Sequence, residues 1–337
     1  MPQAASCKQE IESTSCKQLH TLLFFTKRYL YRDELNTPSW ISWKAGKFGR
    51  SVSVAGEKEG QAQELEALTR FSNEQGLHRE VALDLRTGLR DARADFSFLR
   101  LRGLQSILKF LKAVSEHDIV IDLFRNTQSQ PDLQVVPVLF QHSFKDPEEN
   151  EVENLEHIFG VEPQKPFSPP SDLETETALR VLEGCCLIHR ESSILAHQNK
   201  AVQVLLCILS TRSPSVQSAC LDSLLVAMLD STSNQVDFEE HDGIEKVTNL
   251  MMNTGATESI RLKCVEFFLL LVDHVHGRKR PPLAAISSDL RQYLGENAAG
   301  LVLTFGSAFT SASRQESLNA QSMKVLTSLN SGTPSQT

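Results

Sequence analysis

The stretch VLEGCCLIHRES, residues 181–192, brings two cysteines, a histidine and an arginine close together. A cysteine phosphatase uses such residues, with a thiolate in a phosphate-binding loop and an arginine at a fixed distance. Here the step from Cys185 to Arg190 is one position too short, and Leu and Ile replace the loop residues. A low thiol pKa also needs a polar, partly exposed setting. The apolar spacing therefore predicts a helix that buries Cys185 and Cys186.

Two other clusters contain residues that bind metals or transfer protons. The segment DFEEHDG, residues 237–243, surrounds His241 with four carboxylates and could hold a metal or act in acid–base chemistry. Its position between helices, before a glycine, favours an exposed acidic turn. The two histidines of DHVHG, residues 273–277, diverge by about 200° on a helix, so a shared metal is disfavoured. We predict a protein that is not an enzyme and has no metal or cofactor.

Composition excludes several classes of protein. The 337 residues are 40% hydrophobic and 23% charged, which is typical of a globular chain. A net charge of −8 disfavours nucleic acid or anionic lipid as the main partner. The basic run GRKRPP, residues 277–282, is better explained as a solvated helix end than as a nuclear signal, because cations and proline favour helix C-termini. We therefore expect a protein partner.

Cysteine usage indicates the compartment. The seven cysteines are odd in number and irregular in spacing, which predicts reduced thiols in the cytosol or nucleus. The N-terminal sequence contains acids and lacks an apolar run long enough for a signal core or a membrane span. We expect no targeting segment and no transmembrane helix.

Changes in pattern along the chain predict five regions. They are a largely disordered arm (1–58), N-terminal helices (59–144), an acidic and proline-rich linker (145–170), armadillo-like helical repeats (171–330) and a disordered tail (331–337).

Local signals place particular helices. The segments IVIDLF and LQVVPVLF are short enough to be strands, but Pro137 argues against a central strand, and we predict short helices. The SDLE sequence fits a capping box, in which the Ser171 hydroxyl accepts from the Glu174 amide and Glu174 reaches back. A helix should therefore begin after Ser171.

Two segments repeat one another, from Lys200 and from Asp242, each predicting a medium helix followed by a long one. Val202 and Ile208 match positions 42 residues later, and Cys220 matches Cys264 on the long helices, where both should be buried. A period near 42 is typical of armadillo and HEAT arrays, whose units bury their faces by stacking. We predict an all-α, armadillo-like solenoid.

The long helices carry acids at equivalent places. Asp222 and Glu266 each follow the matched cysteine by two residues, which is about 200° of helix rotation, so both should point away from the core. We predict that they form part of an acidic ladder that binds a basic segment of a partner protein. The alternative is that both acids are solvated and bind no partner.

The segment from Leu179 to Asn297, and above all its LKC-x-EF element at residues 262–267, resembles the plant form of cell division control protein fourteen, a component of the septation initiation network. The likeness is looser over the helices from Leu83. This family is unrelated to the phosphatase of the same name. The resemblance implies a non-enzymatic, armadillo-like protein that binds a germinal-centre-class protein kinase, a role known in fungi.

Two functions follow as expectations. The first is a regulatory or scaffold subunit for such a kinase in septation or cytokinesis, located in the cytoplasm, with association to the cytoskeleton or spindle pole. The alternative is a general armadillo-type peptide-binding adaptor unrelated to cell division. Those adaptors often carry asparagine at a fixed place on each long helix, where this chain has Asp222 and Glu266, and this difference disfavours the alternative.

Overall fold

We describe the chain from a computed structural model, which covers residues 76, 78–115, 118–145, 168–229, 231–276, 286–306 and 314–332. Within these ranges the regular elements are helical and none is a strand, which confirms the all-α prediction. Internal contacts divide the chain into two units, Met1–Val81 and Ala82–Thr337. The first is described only at residues 76 and 78–81, and every contact given below lies within the second.

Between residues 172 and 276 the helices follow one another with short connections. In chain order the helices are α1 (78–92), α2 (Ser97–Val114), α3 (Asp118–Gln128), α4 (Val135–Val138), α5 (Asp172–Ile188), α6 (Glu191–Gln198), α7 (Ala201–Thr211), α8 (Pro214–Met228), α9 (Thr232–Glu240), α10 (Gly243–Met252), α11 (Glu258–His276), α12 (Ile286–Gly306) and α13 (Arg314–Gly332). None of these helices is both long and apolar enough to cross a membrane in the part of the chain described.

Several expected regions lie outside the described residues. They are the N-terminal arm, most of the acidic and proline-rich linker, the GRKRPP run and the last five residues. The five predicted region boundaries stay predictions. The helices on either side of the linker nevertheless touch, because α2 packs along α5.

The two short apolar segments are helical, as predicted. IVIDLF forms part of α3, and LQVVPVLF forms α4 with a π-helical turn, Leu139–Ser143, that extends it. Pro137 lies in the first turn of α4, where backbone amides have no partner within the helix, so its missing N–H costs little. The buried Gln128 side chain supports this start by accepting from the Val135 amide at 3.0 Å.

The start of α5 confirms one half of the predicted capping box and corrects the other. Ser171 is the N-cap, and its hydroxyl accepts from the Glu174 amide at 3.2 Å. The Glu174 carboxylate does not reach back to Ser171. It is fully buried and instead accepts from Arg100 Nε at 2.7 Å and from the Ser97 hydroxyl at 2.6 Å. A buried cation on α2 binds a carboxylate more strongly than a neutral backbone amide does.

The repeated segments form equivalent helices. The pairs α7–α8 and α10–α11 are each a medium helix followed by a long one, as predicted, and each pair is preceded by a short helix, α6 or α9. Lys200 and Asp242, 42 positions apart, hold the same left-handed backbone conformation, with φ of 55° and 56°, immediately before the medium helix. The two copies therefore share backbone geometry as well as sequence pattern.

The long helices lie side by side. Helix α2 packs on α5, α5 on α8, α8 on α11, and α11 on α13, while α12, which bends at Gly295, also packs on α11. Helix α5 thus packs against the long helix of the first copy, and α12 and α13 pack against the long helix of the second. Cys185, Cys220 and Cys264 are fully buried between these helices and Cys186 is 9% exposed, as expected from their apolar stripes.

Candidate functional site

Five charged side chains form a continuous line across three adjacent long helices. We call this line the charged row; its members are Arg180 and Glu183 on α5, Asp222 on α8, and Lys263 and Glu266 on α11. The row exists because α8 packs between α5 and α11 and because the repeat places Arg180, Asp222 and Glu266 at corresponding positions.

Asp222 is the centre of the charged row. One carboxylate oxygen lies 2.8 Å from Arg180 Nη1 and the other lies 2.9 Å from Lys263 Nζ. Each cation has a second carboxylate on its own helix: Glu183 lies 2.9 Å from Arg180, and Glu266 lies 3.4 Å from Lys263. Alternating charges thus connect three helices without an intervening residue.

Burial and charge oppose each other at the centre of the row. Burial alone would raise the pKa of Asp222, but Lys263 and Arg180 outweigh it and hold that pKa below its usual range. Burial would likewise lower the pKa values of both cations, yet the neighbouring carboxylates raise them. Asp222, Arg180 and Lys263 are therefore all ionised at neutral pH.

The two outer carboxylates, Glu183 and Glu266, have raised pKa values, in contrast to Asp222. Burial raises the pKa of Glu183 to about 7; Arg180 opposes the shift, and Asp222 adds to it. Burial also raises the pKa of Glu266, and Lys263 only partly opposes the change. The Glu266 oxygen nearest Lys263 is buried and has no partner with hydrogen-bond geometry. The cations therefore offset the cost of burying the charge of Asp222, but they only partly offset it for Glu183 and Glu266.

The two residues predicted to bind a partner both belong to the charged row. We expected Asp222 and Glu266 to face solvent as an acidic ladder, but they are only 7% and 8% exposed and both are paired with cations. The rotation argument correctly turned them away from Cys220 and Cys264, but it did not include cations from neighbouring helices. Binding of a partner by Asp222 and Glu266 stays a prediction.

Sequence reasoning missed Arg180, Glu183 and Lys263. Two signals could have found them. Arg180 precedes Asp222 by 42 positions, the repeat spacing, and so corresponds to it on the preceding long helix. Arg180 with Glu183, and Lys263 with Glu266, are three residues apart, a spacing at which helix side chains meet.

The two cysteines of the opening stretch lie inside a helix, as predicted, and the helix ends at Ile188. Cys185 and Cys186 are in the last turns of α5. Burial raises the pKa of the Cys185 thiol well above its usual range and that of Cys186 to about 12. Both therefore carry protonated thiols at neutral pH, the unreactive form.

Residues of the same stretch form an arrangement that sequence reasoning did not single out. His189 Nδ1 lies 3.0 Å from the Ser192 hydroxyl, and its Nε2 lies 3.1 Å from a Glu191 carboxylate oxygen. These are the residue types of a catalytic triad, but Ser192 is fully buried, so a substrate cannot reach its oxygen. The three side chains instead connect the end of α5 to the start of α6.

The acidic segment at residues 237–243 is only partly a turn, which corrects our expectation. Asp237–Glu240 form the last turn of α9, and only His241 and Asp242 lie between helices. The reason is Phe238, whose fully buried ring packs 5.9 Å from that of Phe267 and holds the segment in the helix. Among the described residues, no group of three or more His, Cys, Asp or Glu side chains is placed to hold a metal ion.

Comparison with known families decides the relationship of the chain. Residues 152–326, just over half of its length, match the model of the family described as cell division control protein 14, SIN component. The chain belongs to this family. No curated protein and no solved structure gave a match. The sequence resemblance is thereby confirmed, while the helices before residue 152, where it was looser, lie outside the matched segment.

The family segment contains the whole charged row. Its LKC-x-EF element divides between two environments: Cys264 and Phe267 lie in the core, whereas Lys263 and Glu266 belong to the row. The family is described as a component of a network and not by an enzymatic reaction. The part of the chain that defines its family is therefore also the part that builds the row.

Proposed function

We propose that the chain is a non-enzymatic interaction protein, a regulatory or scaffold subunit for a germinal-centre-class protein kinase in septation or cytokinesis signalling. The observation that carries the proposal is the family match over residues 152–326, since that family is a component of the septation initiation network. Membership of a signalling network supports a role that is exerted through contacts with other proteins.

We also propose that the helices form an armadillo-like solenoid. Three features support this arrangement: the repeat spacing of 42, the shared left-handed residue before each medium helix, and the side-by-side order of the long helices. Such an array presents its successive long helices along one surface, which is the usual binding face of helical repeats.

The charged row lies on those long helices and suggests the chemistry of the partner. It contains three carboxylates and two cations, so it carries an excess of one negative charge when all five groups are ionised. Its side chains are 9–15% exposed, so a partner reaches only its edge. A basic segment of the kinase would gain from the uncompensated outer carboxylates, mainly in orientation and association rate.

Co-purification tests the proposed function directly. The full-length chain, tagged and expressed in dividing cells, should recover a germinal-centre-class kinase, identified by mass spectrometry. The tagged chain should also be cytoplasmic and concentrate at the cytoskeleton or spindle pole during division. Recovery of many unrelated proteins with apolar or basic peptides, and of no such kinase, would instead support the general peptide-binding adaptor.

Matched variants test whether the charged row takes part. Glu183→Gln with Glu266→Gln removes two outer carboxylates of the row and keeps their shape. Glu240→Gln with Glu258→Gln makes the same change of charge at exposed positions outside the row. Loss of the kinase from the first pair alone would place the partner at the row. Equal recovery by both pairs would place the partner elsewhere and leave the kinase proposal intact.

A further inference from the structure

Ser168 lies shortly before the start of α5. Its hydrogen bonds attach this part of the chain to the turn that precedes α2 and to the first residues of α2. Its hydroxyl accepts from the Ser97 amide at 2.6 Å and its own amide donates to the Asp95 carbonyl at 3.0 Å. Its hydroxyl also donates to the Asp95 carbonyl at 3.3 Å, and its carbonyl accepts from Arg100 Nη2 at 2.7 Å. Ser168 thus makes four hydrogen bonds to residues about 70 positions earlier.

The Ser168 hydroxyl provides the N-terminal cap that α2 does not have from its own sequence. The N-cap residue of α2, Phe96, makes no side-chain capping bond, and the first turn of the helix has no acidic residue. The Ser168 hydroxyl takes that place by accepting from Ser97, the first helical residue. A serine oxygen at this position satisfies an amide that otherwise has no partner within the helix.

Arg100, which lies beside Ser168, already uses all of its hydrogen-bond donors. Its guanidinium has five N–H groups, and five bonds use them: Nε and Nη2 donate to Glu174, Nη1 donates to the carbonyls of Ala94 and Asp95, and Nη2 also donates to Ser168. A new anion near Ser168 would therefore have to compete with the fully buried Glu174 carboxylate for this cation.

Ser168 is followed by a proline and is accessible enough to be modified. It is half-buried, and Pro169 is exposed. Proline-directed protein kinases select serine or threonine followed directly by proline. We propose that Ser168 is a phosphorylation site for a kinase of this type, and that its phosphate detaches residues 168–170 from the turn at residues 94–97. The proposal does not depend on the identity of the kinase partner inferred above.

The chemistry and its consequence follow from the contacts. The Ser168 oxygen attacks the γ-phosphorus of ATP, its proton passes to the base of the kinase, and the products are phosphoserine and ADP. The modified oxygen no longer donates to the Asp95 carbonyl, so a dianion lies beside that carbonyl, and the neighbouring Ser97 hydroxyl is already bonded to the Glu174 carboxylate. The Ser97 amide at the N-terminus of α2 attracts the phosphate, but the five N–H groups of Arg100 are already bonded to other acceptors. In this proposal, repulsion by the Asp95 carbonyl and the Glu174 carboxylate therefore outweighs the attraction of the helix N-terminus.

Phosphorylation of the full-length chain with a cyclin-dependent kinase and ATP tests the site. The control is Ser213→Ala, which removes the other Ser-Pro dipeptide in the described residues, at the start of α8. Mass spectrometry should find phosphate on Ser168 in the wild type and in Ser213→Ala, and none at this position in Ser168→Ala. A chain that accepts phosphate elsewhere and never on Ser168 would overturn the assignment.

Hydrogen exchange tests the detachment. In the phosphorylated chain, the amides of Ser97 and Ser168 should exchange about tenfold faster than in the unmodified chain, because both lose their partners. Ser168→Ala should increase exchange at Ser97 by a smaller factor, since it removes the cap without adding charge. Unchanged or slower exchange at both amides in the phosphorylated chain would show that the phosphate strengthens the attachment, and would overturn the proposed effect.

Discussion

Two groups of buried charges in this molecule are built differently. Arg100 and Glu174 are both 0% exposed, and every N–H of the guanidinium has an acceptor. The charged row is slightly exposed, its outer carboxylates have raised pKa values, and one oxygen of Glu266 has no hydrogen bond. The hydrogen bonds of Arg100 are complete within the chain, whereas the outer carboxylates of the row are only partly compensated by its cations.

This difference predicts different responses to substitution in the two groups. The Arg100–Glu174 pair joins α2, the Ser168 segment and the start of α5, so it specifies how these elements meet. The charged row joins three helices that also pack through buried apolar residues, and burial raises the pKa values of its two outer acids. Substitutions in the two groups should therefore differ in both size and pH dependence.

The largest effect is expected for Arg100→Met. It leaves the Glu174 carboxylate buried without a cation and deprives the Ala94, Asp95 and Ser168 carbonyls of a donor, so the free energy of unfolding should fall by about 3–5 kcal/mol. Urea unfolding measures it. The double variant Arg100→Met with Glu174→Leu should recover part of the loss because it removes the unpaired charge. A single-variant loss below about 1 kcal/mol would contradict this account of the pair.

A smaller loss is expected for Asp222→Asn at the centre of the row. Arg180 and Lys263 each keep a second carboxylate, so unfolding free energy should fall by about 2 kcal/mol. The pKa of Glu183 should also fall, because the charge of Asp222 raises it. Chemical denaturation and NMR titration of Glu183 measure the two effects. An unchanged Glu183 pKa in a folded variant would show that the carboxylates are not coupled.

Glu183 should make stability depend on pH near neutrality. Its pKa is about 7 in the folded chain and near 4.5 when unfolded, so folding binds a proton between these values. Its contribution is fully present below about pH 4.5 and is lost as pH rises through 7. Relative to Glu183→Gln, the wild type should therefore lose about 1–2 kcal/mol between about pH 5 and 8. Parallel pH profiles of the two proteins would rule out a raised Glu183 pKa.

The sequence predicted the helices better than it predicted the charges. Apolar spacing located the α5 helix with Cys185, and the repeat located α7–α8 and α10–α11, because these signals are local or periodic. The surroundings of Asp222 depend on side chains 42 and 41 positions away, and those of Glu174 on Arg100, 74 positions away. The spacing along one helix predicts the direction in which a side chain such as Asp222 points. Which cations it meets there depends on how the neighbouring helices pack.

The smallest effect is expected for an exposed pair that serves as a reference for both groups. Arg102 on α2 lies 2.9 Å from Asp91 on α1, and the arginine side chain is 64% exposed. Water and salt screen such a pair, so Arg102→Ala should change unfolding free energy by about 0.5 kcal/mol or less, and the change should disappear in about 1 M NaCl. Urea unfolding at low and high salt measures this. The losses in Arg100→Met and Asp222→Asn should persist in salt, since those charges are shielded by protein; if all three losses vanished together, simple surface electrostatics would explain both buried groups.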